Sequence, residues 1–134
     1  MIQIPNASPS NMRVYLAGGF HSGWQDEVKA QVSGVEFLDP RNHKLQSSAE
    51  YTAWDLNAIS EYDWLFAFLE SSNPSGYALA LEIGFAKACA KKILLVDEKS
   101  PTNEVLARHL AMLHACADVS LPTLNAAVAF LKTF

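Results

Sequence analysis

Residues 64–96 read WLFAFLESSNPSGYALALEIGFAKACAKKILLV, and this stretch decides the fold. It opens and closes on short, strongly apolar runs, 64–69 and 93–96, of the kind that form strands buried on both faces. Between them, Asn73-Pro74-Ser75-Gly76 is turn chemistry. The residues that follow, up to Ala90, are helix-forming Ala and Leu with small residues that allow close packing. Strand, helix and strand in that order build a parallel pair, because parallel neighbours need a crossover connection.

Inside the helical part, Glu82 is the one ionised side chain between Glu70 and Lys87. At helical spacing Ala78, Phe85, Ala86 and Cys89 share its face, so the carboxylate points along an apolar surface. An unpaired charge there costs several kcal/mol, which makes Glu a poor structural choice. Held in a dry cleft near a helix N-terminus, a carboxylate suits a nucleophile or a general base. The plainer reading is a side chain that rotates out to solvent between two apolar faces.

The same alternation extends in both directions. MRVYLAGG (12–19) reads as a first strand ending in paired glycines, and GGFHSG (18–23) as a loop that allows close backbone approach to a ligand. Helix 24–33 stops at Gly34, and strand 35–38 ends at Asp39-Pro40. Residues 41–46 form a polar loop. Ser47-x-x-Glu50 is a capping box opening helix 49–62, on which Asp55 interrupts the inward stripe of Tyr51, Ala58 and Ile59. Asp63 leads strand 64–69. Beyond strand 93–96 come helix 103–116, with Leu106, Leu110 and Leu113 as its core edge, strand 119–121 and helix 123–131, with Pro122 at its entry. The pattern predicts an α/β three-layer sandwich, flavodoxin- or Rossmann-like, whose doubly wound, five-stranded and mostly parallel sheet has helices on both faces. Ligands in such sheets bind at the carboxyl ends of the strands, so the loops 18–23, 39–43 and 70–76 are expected to converge.

The chain has 134 residues, half of them hydrophobic and 18% charged, with net charge −4. This fits a leader over 1–11 and one globular domain over 12–134. The acidic balance argues against a nucleic-acid polymer as partner, which needs clustered Lys and Arg. Cys89 and Cys116 lack CxxC spacing and read as buried free thiols in a reducing cytoplasm. The segment MIQIPNASPSN has no basic n-region or apolar h-region, so a secretory signal is not expected. No apolar run reaches the ~20 residues a bilayer span needs. The expected location is cytoplasmic, with no membrane partner.

GGFHSG matches neither G-x-G-x-x-G nor a P-loop, which argues against dinucleotide binding and NTP hydrolysis. His21 and Ser22 could donate to a phosphate or belong to a solvated loop. In DPRNH (39–43), Asp39 reads as a structural cap; Arg41 either pairs with it or, like His43, approaches an anionic ligand group. Tyr15 reads as a core residue. No histidine spacing suits a metal, and no G-x-S-x-G elbow is present. What remains is acidic: Asp55 and Glu82 on apolar helix faces, with Asp63 at a strand start. Two carboxylates converging on one cleft are the equipment of glycosidic-bond chemistry.

Together, VYLAGGF, WDLNAISEYDWLFAFLE and NPSGYALALEIGFAKACAKKILLV resemble, in order and separation, the nucleoside 2-deoxyribosyltransferase superfamily, which includes the 2'-deoxynucleoside 5'-monophosphate N-glycosidases. The resemblance runs from Arg13 to about Val96. It implies a five-stranded parallel sheet, Glu82 as nucleophile, Asp55 orienting or protonating at the glycosidic bond, and Tyr15 holding the nucleophile. It further implies a small-molecule deoxynucleoside or deoxynucleotide substrate, no cofactor and no metal. A homodimer or larger assembly follows from the superfamily's habit of completing sites across subunits. Gly18, Gly19, Phe20, His21, Arg41, Asp63, Ser75 and Gly76 are the candidate substrate-binding residues. The chain departs from the transferases in carrying Gly19 where Pro is common and Gly76 where an Asp recognises the base. It departs from the monophosphate hydrolases in offering His21 rather than Arg in the first loop. A non-catalytic nucleotide-binding or sensing module on the same scaffold is the alternative.

Overall fold

In the computed structural model, which describes residues 11–134, five strands form one parallel sheet in the order β2-β1-β3-β4-β5. The strands are β1 (Met12–Gly18), β2 (Val35–Leu38), β3 (Trp64–Leu69), β4 (Lys92–Asp97) and β5 (Val119–Leu121). Every pair is parallel, with Tyr15 opposite Leu38 and Leu65 in the registers of β1. The helices are α1 (Trp24–Gln31), α2 (Ser48–Glu61), α3 (Tyr77–Ala88), α4 (Glu104–His109), α5 (Ala111–Cys116) and α6 (Leu124–Leu131). The expected leader falls largely outside the described residues, and Asn11 is exposed ahead of β1.

Alternation along the strands sorts the core into two layers. Val14, Leu16, Phe66, Phe68, Leu94 and Val96 face α1 and α6, where Trp24, Val28, Val128 and Leu131 meet them. Tyr15, Ala17, Leu65, Ala67, Ile93 and Leu95 face the other way, onto Ile59 of α2 and Leu79, Ile83 and Ala86 of α3. A period of two in a sheet covered on both faces leaves no polar strand face, hence the unbroken apolar runs. The consequence for function is that Tyr15 points into the layer holding α2 and α3.

Two boundaries differ from the sequence reading in a way that matters. The single helix expected over 103–116 is two helices, because the chain turns at Leu110 (φ −95°, ψ 0°). That turn lets α5 lie against α3, with Leu110, Leu113 and Cys116 on the core, while α4 stays beside the short 3₁₀ turn Ser100–Thr102. Leu106 is only half-buried and stands apart from this core. The polar loop 41–46 also contains structure: Pro40–Asn42 is a 3₁₀ turn capped by Asp39. Elsewhere Ser47 caps α2, accepting from the Glu50 amide as the capping-box reading requires. Among the described residues no helix is long and apolar enough to cross a membrane.

Candidate active site

β1 and β3 are neighbours whose connections leave the sheet on opposite faces, which opens a crevice at their carboxyl ends. A cleft of about 360 Å³ lies there, lined by Tyr15, Gly18, Phe20, Pro40, His43, Leu45, Tyr51, Asp55, Leu81 and Glu82 among others. A second hollow of about 300 Å³ adjoins it, lined by Gly18, Gly19, His21, Asn73, Ser75, Gly76 and Glu82. Glu82 and Gly18 belong to both, so the carboxylate stands at their junction. The loop after β1 serves both spaces; the loop after β2 serves the first and the loop after β3 the second.

Glu82 is placed by the middle of α3, whose start is set by Gly76 at φ +83°, a left-handed conformation natural to glycine. A side chain at 76 would also meet Leu69 Cδ1 at 2.8 Å. The Tyr15 hydroxyl donates to Glu82 Oε2 at 3.2 Å. Burial, and then the charge of Asp55, push the Glu82 carboxyl up to about 7, with the Tyr15 hydrogen bond working in the opposite direction. Burial also pushes the Tyr15 hydroxyl up, followed by the negative charges of Glu82 and Asp55. Tyr15 therefore remains a donor at any physiological pH. With Oε2 engaged, Oε1 is the oxygen of Glu82 free to react.

Asp55 reaches the cleft from α2 and carries a partner. His43 Nε2 lies 3.1 Å from Asp55 Oδ1, and His43 Nδ1 accepts the Leu45 amide at 2.9 Å. A backbone N–H can only donate, so the neutral ring bears its hydrogen on Nε2 and offers it to Asp55. The ring of Trp54 packs edge-on against His43 with centroids 4.6 Å apart, completing the cage. His43 is about one-tenth exposed.

Of the residues singled out from the sequence, Glu82, Asp55, Tyr15, Gly18 and Phe20 meet in the first cleft, and Gly19, His21, Ser75 and Gly76 in the second. Two do not join them. Arg41 is turned away: its guanidinium pairs with Asp39 Oδ2 at 2.6 Å and Asp26 Oδ1 at 2.7 Å. Asp39 is buried and also takes Lys29 at 2.8 Å. Burial alone would raise its carboxyl, but the hydrogen bonds from Arg41 and Lys29 hold it at about 2. This network consumes the cation that might have met an anion. Asp63 sits at the amino end of β3, the far end of the sheet from the cleft, and accepts the Arg13 amide at 2.9 Å. The partner of Asp55, His43, was left open by the sequence between ligand contact and loop structure. Among the described residues no group of three or more His, Cys, Asp or Glu could hold a metal ion. Cys89 and Cys116 are free and half-buried rather than buried.

Three solved structures superpose over 91% of this chain. They are a CMP N-glycosidase from Clostridium botulinum (TM-score 0.64, 22% identity, 99% of that chain covered) and a 2-desoxiribosyltransferase from Leishmania mexicana (0.70, 21%, 97%). The third is a 2-deoxyribosyltransferase from Bacillus psychrosaccharolyticus (0.65, 17%, 91%). The chain shares their fold. No family model and no curated protein matches it. At this identity the likeness concerns architecture alone.

Proposed function

We propose that the protein cleaves the N-glycosidic bond of 2'-deoxynucleosides or their 5'-monophosphates through a glycosyl-enzyme on Glu82, within the nucleoside 2-deoxyribosyltransferase-like superfamily. The observation that carries this reading is the Glu82 carboxylate held by Tyr15 at the junction of two hollows, with Asp55 lining the first of them. The resemblance of the sequence motifs and the fold shared with glycosidases and transferases support it.

In this reading Oε1 of Glu82 attacks C1' of the 2-deoxyribosyl group. The C1'–O bond forms as the C1'–N bond breaks, and the base departs with the electron pair. The transition state is oxocarbenium-like, and a missing 2'-hydroxyl makes that cation easier to form. The leaving base takes its proton through the Asp55 carboxyl, which the His43 Nε2–H orients, and the attacking water or second base gives the proton back. Water, or a second base, then attacks C1' and returns the carboxylate. The cleft walled by Phe20, Leu45, Tyr51 and Leu81 takes the base by its apolar faces. The second hollow takes the sugar's 5' side. A 5'-phosphate there would meet the first amides of α3, Ser75 and His21.

Phe20, Tyr51, Leu81 and Tyr77 are exposed large apolar residues at or beside the mouth of the cleft. We propose that a second copy of the chain covers this rim in a homodimer or larger assembly. The test of function is chromatography of products from a panel of deoxynucleosides and their monophosphates, with and without a second base. Free base alone marks hydrolysis, and a new nucleoside marks transfer. No product from any of them overturns the reading.

A further inference from the structure

Two side chains from the first turn of α1 converge on one carbonyl oxygen. Trp24 Nε1 donates to Gly19 O at 2.9 Å, and Gln25 Nε2 donates to the same oxygen at 3.0 Å. Trp24 is itself wedged against Phe66 and Phe68, with ring centroids 5.4 and 5.2 Å away. Gly18 packs too closely for any side chain: a Cβ there would lie 2.8 Å from Phe68 O and 2.9 Å from Trp24 Cζ2. The Gly19–Phe20 peptide is thereby fixed in position. Because a trans peptide directs its C=O and N–H oppositely, the Phe20 N–H points away from α1. Among the described residues it has no acceptor.

Gln25 is a poor choice for stability. It is fully buried, and its Oε1 has no hydrogen-bond partner among the described residues. A buried orphan of this kind is destabilising, because the desolvation of its oxygen is left uncompensated. A flipped amide would set Oε1 against Gly19 O, so the orientation is fixed by the contact it makes. An apolar residue of the same length would remove the orphan and leave Gly19 O satisfied by Trp24. That Gln stands here despite this points to the placement of the Gly19 peptide rather than to packing.

We propose that Trp24 and Gln25 are positioning residues that hold the Gly19 carbonyl from behind and so present the Phe20 amide as a hydrogen-bond donor to an oxygen of the glycosyl group. The inference rests on the glycosidic reading of the cleft, since Gly19 and Phe20 line its two halves.

Gln25→Met tests it, with Gln25→Leu as the second variant should the first not fold. The expected result has three parts: an unfolding temperature that holds or rises, a displaced Phe20 amide resonance in the ligand-free ¹H–¹⁵N spectrum, and kcat/KM lower by roughly tenfold or more. An unmoved Phe20 amide, or an unchanged kcat/KM, overturns the proposal and leaves the Glu82 chemistry standing. If wild type turns over no substrate, the glycosidic reading fails by itself. The proposal is then judged on the Phe20 amide shift induced by a deoxynucleoside monophosphate. Present in wild type and lost in Gln25→Met, that shift supports it; absent in wild type, it overturns it.

Discussion

The Tyr15 hydroxyl, from the centre of β1, donates to Glu82 Oε2 on α3 across 3.2 Å. This contact joins the sheet to the helix beside it and leaves one carboxylate oxygen for chemistry. Glu82→Gln keeps the shape of the side chain and removes the proposed nucleophile. Base release is expected to fall by roughly a thousandfold or more, measured against wild type with whichever substrate is turned over.

The same carboxylate weakens the fold as pH rises. Its ordinary value is 4.5 and burial raises it to about 7, so the native chain binds this proton more tightly than the unfolded chain does. Stability from this group is fully present below 4.5 and is lost as pH passes through about 7. Glu82→Gln is therefore expected to be more stable than wild type at pH 8, by on the order of 2–3 kcal/mol, with the gap closing towards pH 5. Denaturant titrations at the two pH values check this.

Tyr15 and Asp55 bias Glu82 in opposite directions, the first favouring its anion and the second opposing it. Tyr15→Phe is expected to move the acid limb of the kcat/KM profile upward by about one unit. Asp55→Asn is expected to move it downward and to lower the rate as well, since the partner of His43 is lost. Parallel shifts in the two variants would show that these groups do not act on Glu82 as described.

His43 and Asp55 are proposed to act as one unit, through a 3.1 Å contact whose ring orientation the Leu45 amide sets. In a double-mutant cycle with His43→Phe and Asp55→Asn, the losses in kcat are expected to be strongly non-additive, the double variant falling little below the worse single one. Additive losses would separate the two roles.

Arg41 belongs to the scaffold. Arg41→Ala removes the cation shared by Asp39 and Asp26, and is expected to cost about 1–3 kcal/mol of stability while leaving KM within about twofold. Asp39 contributes stability that is present above its ordinary 3.8 and lost as pH falls to about 2. The Arg41→Ala deficit should therefore shrink in acid. A large rise in KM at neutral pH would return Arg41 to the site.

The strands, and the placing of Glu82 on the helix between two of them, were legible because each depends on local pattern. Runs such as WLFAFL, short and bounded by polar residues, carry the strand signal within six positions, and a lone Glu within an apolar helix is conspicuous. The fate of Arg41 was not legible, since Asp26 lies fifteen residues away and meets it only after α1 docks. His43 shares that limit: Asp55 reaches it from α2, across twelve residues. Asp63 is different. It begins a strand, and parallel sheets place ligands where strands end, so its position argued against the role expected of it. The turn at Leu110 carries no Gly or Pro signal, and arises from packing α5 onto α3.

In the proposed reaction Glu82 becomes glycosylated. Mass spectrometry of the intact protein, quenched during turnover of the deoxynucleoside and monophosphate panel, tests it most directly. Wild type is expected to release free base and carry one 2-deoxyribosyl group, or its 5-phosphate, mapped to Glu82 within Tyr77–Ala88; Glu82→Gln is expected to do neither. Base release by Glu82→Gln at the wild-type rate, or an adduct mapped to another residue, would contradict the account.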